Sequence, residues 1–234
     1  MGKEHGGGYR ECGVNFFAAY IIQDIYAEGK KMEGMLMKEQ KGAAGRIDWV
    51  DVAKGVVIVL MIYGHAIEVE SKPWLLVFSF HMPFFIMASG FFFKDVDLKR
   101  FVQKNGKGLL LPYVVTIIIS HVLNVALWGV GWKEACIKAF FTILLGVSKK
   151  GNLSYFMTDE TGVLWFVPML FCVKLLFLLV SKWSKGKEFI RFSILSLMVL
   201  LGLCLQYKGY WMPWSLDIAL YGIGFYYIGY LLKK

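Results

Sequence analysis

Long apolar runs without a charge constrain this chain more than any other feature. Leu109–Gly131, Val163–Val173, Phe192–Tyr207 and Ile218–Leu232 contain no Asp, Glu, Lys or Arg. A bilayer core is about 30 Å thick, and about 20 helical residues cross it at ~1.5 Å per residue. Hydrophobic residues make up 57% of the chain and charged residues only 18%, with a mean hydropathy of +0.55. A soluble domain does not need so much apolar surface. The expected fold is therefore all-α: a polytopic transmembrane helix bundle of about six spans plus one short interfacial or re-entrant helix.

The net charge of +9 does not point to nucleic acid. The basic residues fall in short loops between apolar runs, as expected of cytoplasmic loops beside a lipid bilayer. An amino-terminal arm carrying Lys3, Arg10, Lys30, Lys31, Lys38, Lys41 and Arg46 starts the chain inside. Spans are then expected at Asp48–Ile67, Trp74–Phe93, Leu109–Trp128, Gly162–Val180, Ile190–Tyr207 and Ser215–Leu232. The run Ala135–Val147 is too short to cross and carries Lys138, so it reads as the interfacial or re-entrant helix. With that run uncrossed, Lys182, Lys185, Lys187 and Arg191 lie inside and both termini are cytoplasmic, in a multi-pass cell (plasma) membrane protein. The loop from Tyr207 to Trp214 becomes an outer aromatic belt, where Tyr207, Tyr210, Trp211 and Trp214 anchor at the interface or stack on sugar rings.

Two domains are expected: an arm over residues 1–45 and a membrane domain over 46–234. The arm contains an apolar patch at residues 13–27, too short and polar to span, and Met32, Met35 and Met37 are plausible internal starts. Cys12, Cys136, Cys172 and Cys204 show no paired spacing, so neither a disulfide framework nor a metal site is expected.

Lys54 and His65 are the first candidates for chemistry. They lie eleven residues apart in DVAKGVVIVLMIYGHAI, which is three helical turns, so they share a face about 16 Å apart along the axis. Ionisable groups in a span are costly and usually mark a functional path. A snorkelling lysine and a satisfied core histidine are the plainer account. Asp51, one turn before Lys54, can pair with it. The next span carries FHMPFFIMASG, with His81 and Pro83 inside it. Either this is a kinked, tightly packed helix, or His81 converges with His65. A histidine is a natural general base for a hydroxyl proton.

These motifs resemble the integral-membrane acyltransferase family three, which includes O-acetyltransferases acting on sugars and polysaccharides. The resemblance rests on Lys54 and His65 with ten residues between them, on FHMPFFIMASGFFFK, on LKRFVQKNGKGLLLPY, on LWFVPMLF and on DIALYGIGFYYIGYLLKK, and covers about residues 45–234. Many members carry Arg where this chain has Lys54, and members have more spans than the six read here. The resemblance thus implies a carboxy-terminally truncated domain whose missing spans a separate chain could supply.

The function implied is transfer of an acyl group, chiefly acetyl, from cytoplasmic acyl-CoA to a hydroxyl of a sugar, lipid-linked sugar or cell-envelope glycan. Acyl-CoA is a donor substrate, and no bound cofactor or metal is implied. His65 would deprotonate the acceptor, and His81 would orient or stabilise it, with direct transfer and an acyl-histidine both open. Lys54, Asp51, Arg100, Lys104 and Lys107 would bind substrate, the last three through the phosphates of CoA. A non-catalytic transport or ligand-sensing module and an inactive fragment are the alternatives.

Overall fold

The computed structural model describes residues 48–68, 71–146 and 161–233. The arm, with its apolar patch and internal methionines, lies outside them. Every regular element among the described residues is helical. In chain order they are α1 (Asp48–Ala66), α2 (Lys72–Phe91), α3 (Leu98–Asn105), a π-helical turn (Gly106–Leu110), α4 (Leu111–Trp128), α5 (Trp132–Leu145), a 3₁₀ turn (Gly162–Trp165), α6 (Phe166–Trp183), α7 (Glu188–Tyr207), a second 3₁₀ turn (Pro213–Ser215) and α8 (Leu216–Leu232). Six helical stretches are long and apolar enough to cross a membrane: Trp49–Ala66, Lys72–Phe91, Leu98–Trp128, Phe166–Trp183, Glu188–Tyr207 and Pro213–Leu232. The chain is a multi-pass, all-α membrane protein. The seventh long helix, α5, has 14 residues, about 21 Å, which is too short for the hydrocarbon core.

Two compact units divide the chain, one ending at His81 and the other starting at Met82. In the first, α1 exposes an apolar stripe of Trp49, Val52, Val56, Val59 and Tyr63, which suits lipid. Val50, Val57 and Gly64 recur every seventh residue on its buried side. Lys54 and His65 lie away from the apolar stripe, as 100° per residue requires.

The second unit is built around α6 and α8. Met169, Val173 and Phe177 of α6 and Ala219, Ile223 and Tyr226 of α8 are almost wholly buried in one cluster with Ile86 of α2 and Leu195 of α7. Glycine sets two of the helix contacts. A Cβ at Gly90 would fall on the Tyr226 carbonyl, and one at Gly229 would fall on the Met87 carbonyl, so α2 and α8 meet backbone to backbone. This is the close approach that the Ser89-Gly90 pair makes available. Gly202 does the same for α7, where a Cβ would stand 2.7 Å from the Tyr221 nitrogen.

The third crossing differs from expectation. The basic stretch before Leu109 is helical, and α3, the π turn and α4 run on as one 31-residue stretch. Asp97 pairs with Lys182 at 3.7 Å at one end of α6. Phe101 and Leu178 share a buried cluster, and Tyr113 and Pro168 both approach Gly146 near the other end. The segment beside α6 is thus residues 97–113, antiparallel to it, and the expected span Leu109–Trp128 continues the same helical stretch. Its lysines and arginine are good helix formers, and a π turn takes in Gly106 and Gly108 without breaking the axis.

The remainder of α4 forms a hairpin with α5. Three groups bond to the end of α5: Tyr113 Oη donates to the Thr142 carbonyl at 2.9 Å, Trp214 Nε1 to Ile143 at 3.2 Å and Ser215 Oγ to Gly146 at 3.4 Å. Asp217, fully buried, accepts from Gln206 Nε2 and from the Met212 amide, which anchors the turn where Trp214 and Ser215 adopt positive φ.

The glycine contacts predict a graded effect on stability. Gly229→Ala and Gly90→Ala should each lower the melting temperature in detergent, by the ~1–3 kcal/mol typical of overpacking. Gly55→Ala, with nothing within 4 Å of the added carbon, should leave it unchanged or slightly raised. Equal melting of all three variants, followed by size-exclusion chromatography of heated samples, would contradict the backbone contact.

Candidate functional site

On α2, Trp74, Phe78 and His81 follow i, i+4, i+7 spacing and so share one face. Trp74 stacks on Phe78 with centroids 4.5 Å apart and planes at 22°. The Phe78 ring then meets both histidines edge-on: His65 of α1 at 5.1 Å and 79°, His81 at 4.9 Å and 85°. The two imidazoles therefore lie no farther apart than those two distances combined. Gly64 makes this possible. A Cβ there would stand 2.9 Å from Val77 Cγ1 and 3.1 Å from Phe78 Cε2, so α1 comes closest to α2 one residue before His65.

The histidines differ in environment. His81 is fully buried, and its Nδ1 lies 2.8 Å from the Val77 carbonyl. A carbonyl only accepts, so Nδ1 carries the proton and donates it. In the neutral ring Nε2 is then a bare lone pair, and it has no hydrogen-bond partner among the described residues. An unsatisfied buried acceptor costs about 1–3 kcal/mol. His65 is exposed, so its ring nitrogens are open to an incoming group. Together they offer one accessible base beside one of fixed tautomer.

Lys54 keeps its expected partner: Nζ lies 3.3 Å from Asp51 Oδ1 one turn back. Because α1 is unbroken from Asp48 to Ala66, the three-turn alignment of Lys54 with His65 holds. Pro83 sits within α2 and cannot donate to the Ser79 carbonyl, which leaves that acceptor open two residues before His81.

The other expected residues belong to the second unit. Arg100, Lys104 and Lys107 are exposed and follow one another along α3 and the π turn at i, i+4, i+7. Arg100 also lines an open pocket of about 430 Å³ with Asp95, Val96, Asp97 and Lys182. No group of three or more His, Cys, Asp or Glu is placed to hold a metal among the described residues. Sequence reading passed over Phe78, although its spacing with Trp74 and His81 was visible, and over Lys174, a cation within α6.

The class of protein is thus a helical membrane bundle in which Lys54 and His65 share one span and His81 lies on the next. The acyltransferase 3 family, described as an acyltransferase domain, matches residues 47–234, and the chain belongs to this family. It carries a membrane acyltransferase domain. No curated protein and no solved structure matches it.

The contact at Gly64 predicts a cross-link. In a chain whose native cysteines are replaced, Gly64→Cys with Val77→Cys should oxidise to an intrachain disulfide, because a cysteine sulfur takes the place of the Val77 Cγ1. Gly55→Cys with Val77→Cys should not. A mobility shift on non-reducing gels checks both, and equal cross-linking of the two pairs would contradict the geometry.

Proposed function

We propose that the chain transfers an acyl group, acetyl being the simplest case, from cytoplasmic acyl-CoA to a hydroxyl of a sugar or cell-envelope glycan. The observation that carries this reading is the convergence of His65 and His81 on Phe78, within a domain of an acyltransferase family. His65, the accessible ring, accepts the proton of the acceptor hydroxyl. The hydroxyl oxygen attacks the thioester carbonyl, the C–S bond breaks, and the CoA thiolate leaves and takes up a proton. His81, fully buried against Phe78, does not touch the acceptor and acts by positioning the rings that face it. Lys54, oriented by Asp51, supplies positive charge on the same face of α1 as His65.

The donor is attracted by charge. CoA carries several phosphate groups, and Arg100, Lys104 and Lys107 form a basic helix face. The basic ends of the spans suggest an orientation: Arg100, Lys182, Lys185, Lys187 and Lys233 would face the cytoplasm of a cell membrane, following the positive-inside rule. The acceptor would then be reached from the opposite side.

Two tests follow. His65→Ala should lower acyl-CoA consumption by ~10²–10⁴-fold, the usual range for a general base, while the variant still inserts and elutes as wild type. Lys54→Arg should retain turnover and Lys54→Gln should lose most of it, and His81→Gln should fall between Lys54→Arg and His65→Ala. Undiminished thioester loss in His65→Ala would overturn the role given to that residue. For orientation, a cysteine at position 185, in the turn between α6 and α7, should react with an impermeant maleimide only in inverted vesicles. Reaction in intact cells would reverse the assigned sidedness.

A further inference from the structure

Two cations of the second unit, Lys104 of α3 and Lys174 of α6, lie on neighbouring helices without an ion-pair partner among the described residues. Lys174 lies in the middle of α6, which packs beside α3 and the π turn that carry Lys104 and Lys107. Apolar packing holds them there. Phe101 and Phe171 meet at 5.7 Å, Leu178 is fully buried with them, and the Asp97–Lys182 pair fixes the end of the two helices at 3.7 Å. Counted from that pair, Lys104 lies about 10 Å along its helix and Lys174 about 12 Å along α6. The two therefore stand at nearly the same level along the paired helices. Neither ammonium is within ion-pair distance of a carboxylate among the described residues. Like charges held close in a low-dielectric setting cost free energy that an anion between them removes. Arg100 and Lys107, one turn to either side of Lys104 on its exposed face, extend the same field.

We propose that Lys174 and Lys104 form a binding site for phosphate groups between α3 and α6, with Arg100 and Lys107 extending it along α3. Ammonium groups on flexible stems suit this task, because they act as compact charges with no fixed fork to align. The chemistry fits the diphosphate of CoA and equally the headgroup phosphate of an anionic phospholipid. In the first case Lys174 is a donor-binding residue, an assignment that rests on the acyltransferase reading.

The test uses the full chain in phosphatidylcholine nanodiscs. CoA is titrated as one probe, and fluorescent phosphatidylglycerol exchanging into the discs serves as the other. Lys174→Gln should weaken binding of at least one probe about tenfold, the size of one lost charge-assisted hydrogen bond, and Lys174→Arg should restore it. Lys104→Gln, on an exposed face where folding is not at risk, should show the same loss, and the double variant should lose less than the two effects multiplied. Loss confined to CoA supports the donor assignment. Loss confined to phosphatidylglycerol keeps the phosphate site, makes its ligand a lipid and removes Lys174 from donor binding. The proposal is overturned if both probes bind Lys104→Gln and Lys174→Gln as tightly as wild type.

Discussion

A polar group inside an apolar slab must find a partner in the protein or remain costly, and this rule sorts nearly every polar residue of the chain. Asp217 is fully buried and satisfied by Gln206 and the Met212 amide. Arg191 is buried and donates to Glu188 at 2.9 Å and to Tyr230 at 2.8 Å. Both account for themselves as structure: one holds a strained turn, the other ties α7 to α8. His81 is bonded at one nitrogen only, and Lys174 has no ion-pair partner among the described residues. The proposed acyl transfer draws on His81, and the proposed phosphate binding on Lys174.

Small residues make those arrangements possible. In a bilayer, apolar surface gives helices little reason to associate, so close packing and backbone contact carry the interface. Gly90 and Gly229 bring α2 and α8 together, and Gly202 brings α7 against α8. Gly64 serves the site directly, since it lets Phe78 reach His65. A large side chain at any of these positions would move a functional helix and not merely fill a gap.

The helical membrane fold was legible because long uncharged runs admit few other structures, and the span limits at Trp49–Ala66 and Glu188–Tyr207 fall within a few residues of those expected. The Lys54–His65 alignment was legible because helical periodicity alone sets it. The helix that precedes Leu109 was not. Lys99, Arg100, Lys104 and Lys107 suggested a loop by charge, whereas the helix propensity of these residues and the packing of Phe101 on α6 prevail. Lys174 escaped notice for the related reason that one cation does not interrupt an apolar run. Its importance lies in Lys104, seventy residues earlier, and no periodicity links two separate helices. The Phe78 contact likewise needed the crossing of α1 and α2, although its spacing with His81 was plain.

The account stands on the claim that this domain breaks a thioester rather than merely carrying a ligand across the membrane. The most direct measurement follows the acyl group itself. The full chain is reconstituted with envelope glycan and acetyl-CoA labelled in the acetyl group, and the label is tracked together with free thiol. The account predicts that thiol appears and that label moves into the glycan in ester linkage. Label that stays on CoA, with no thiol released while CoA binds, would contradict it.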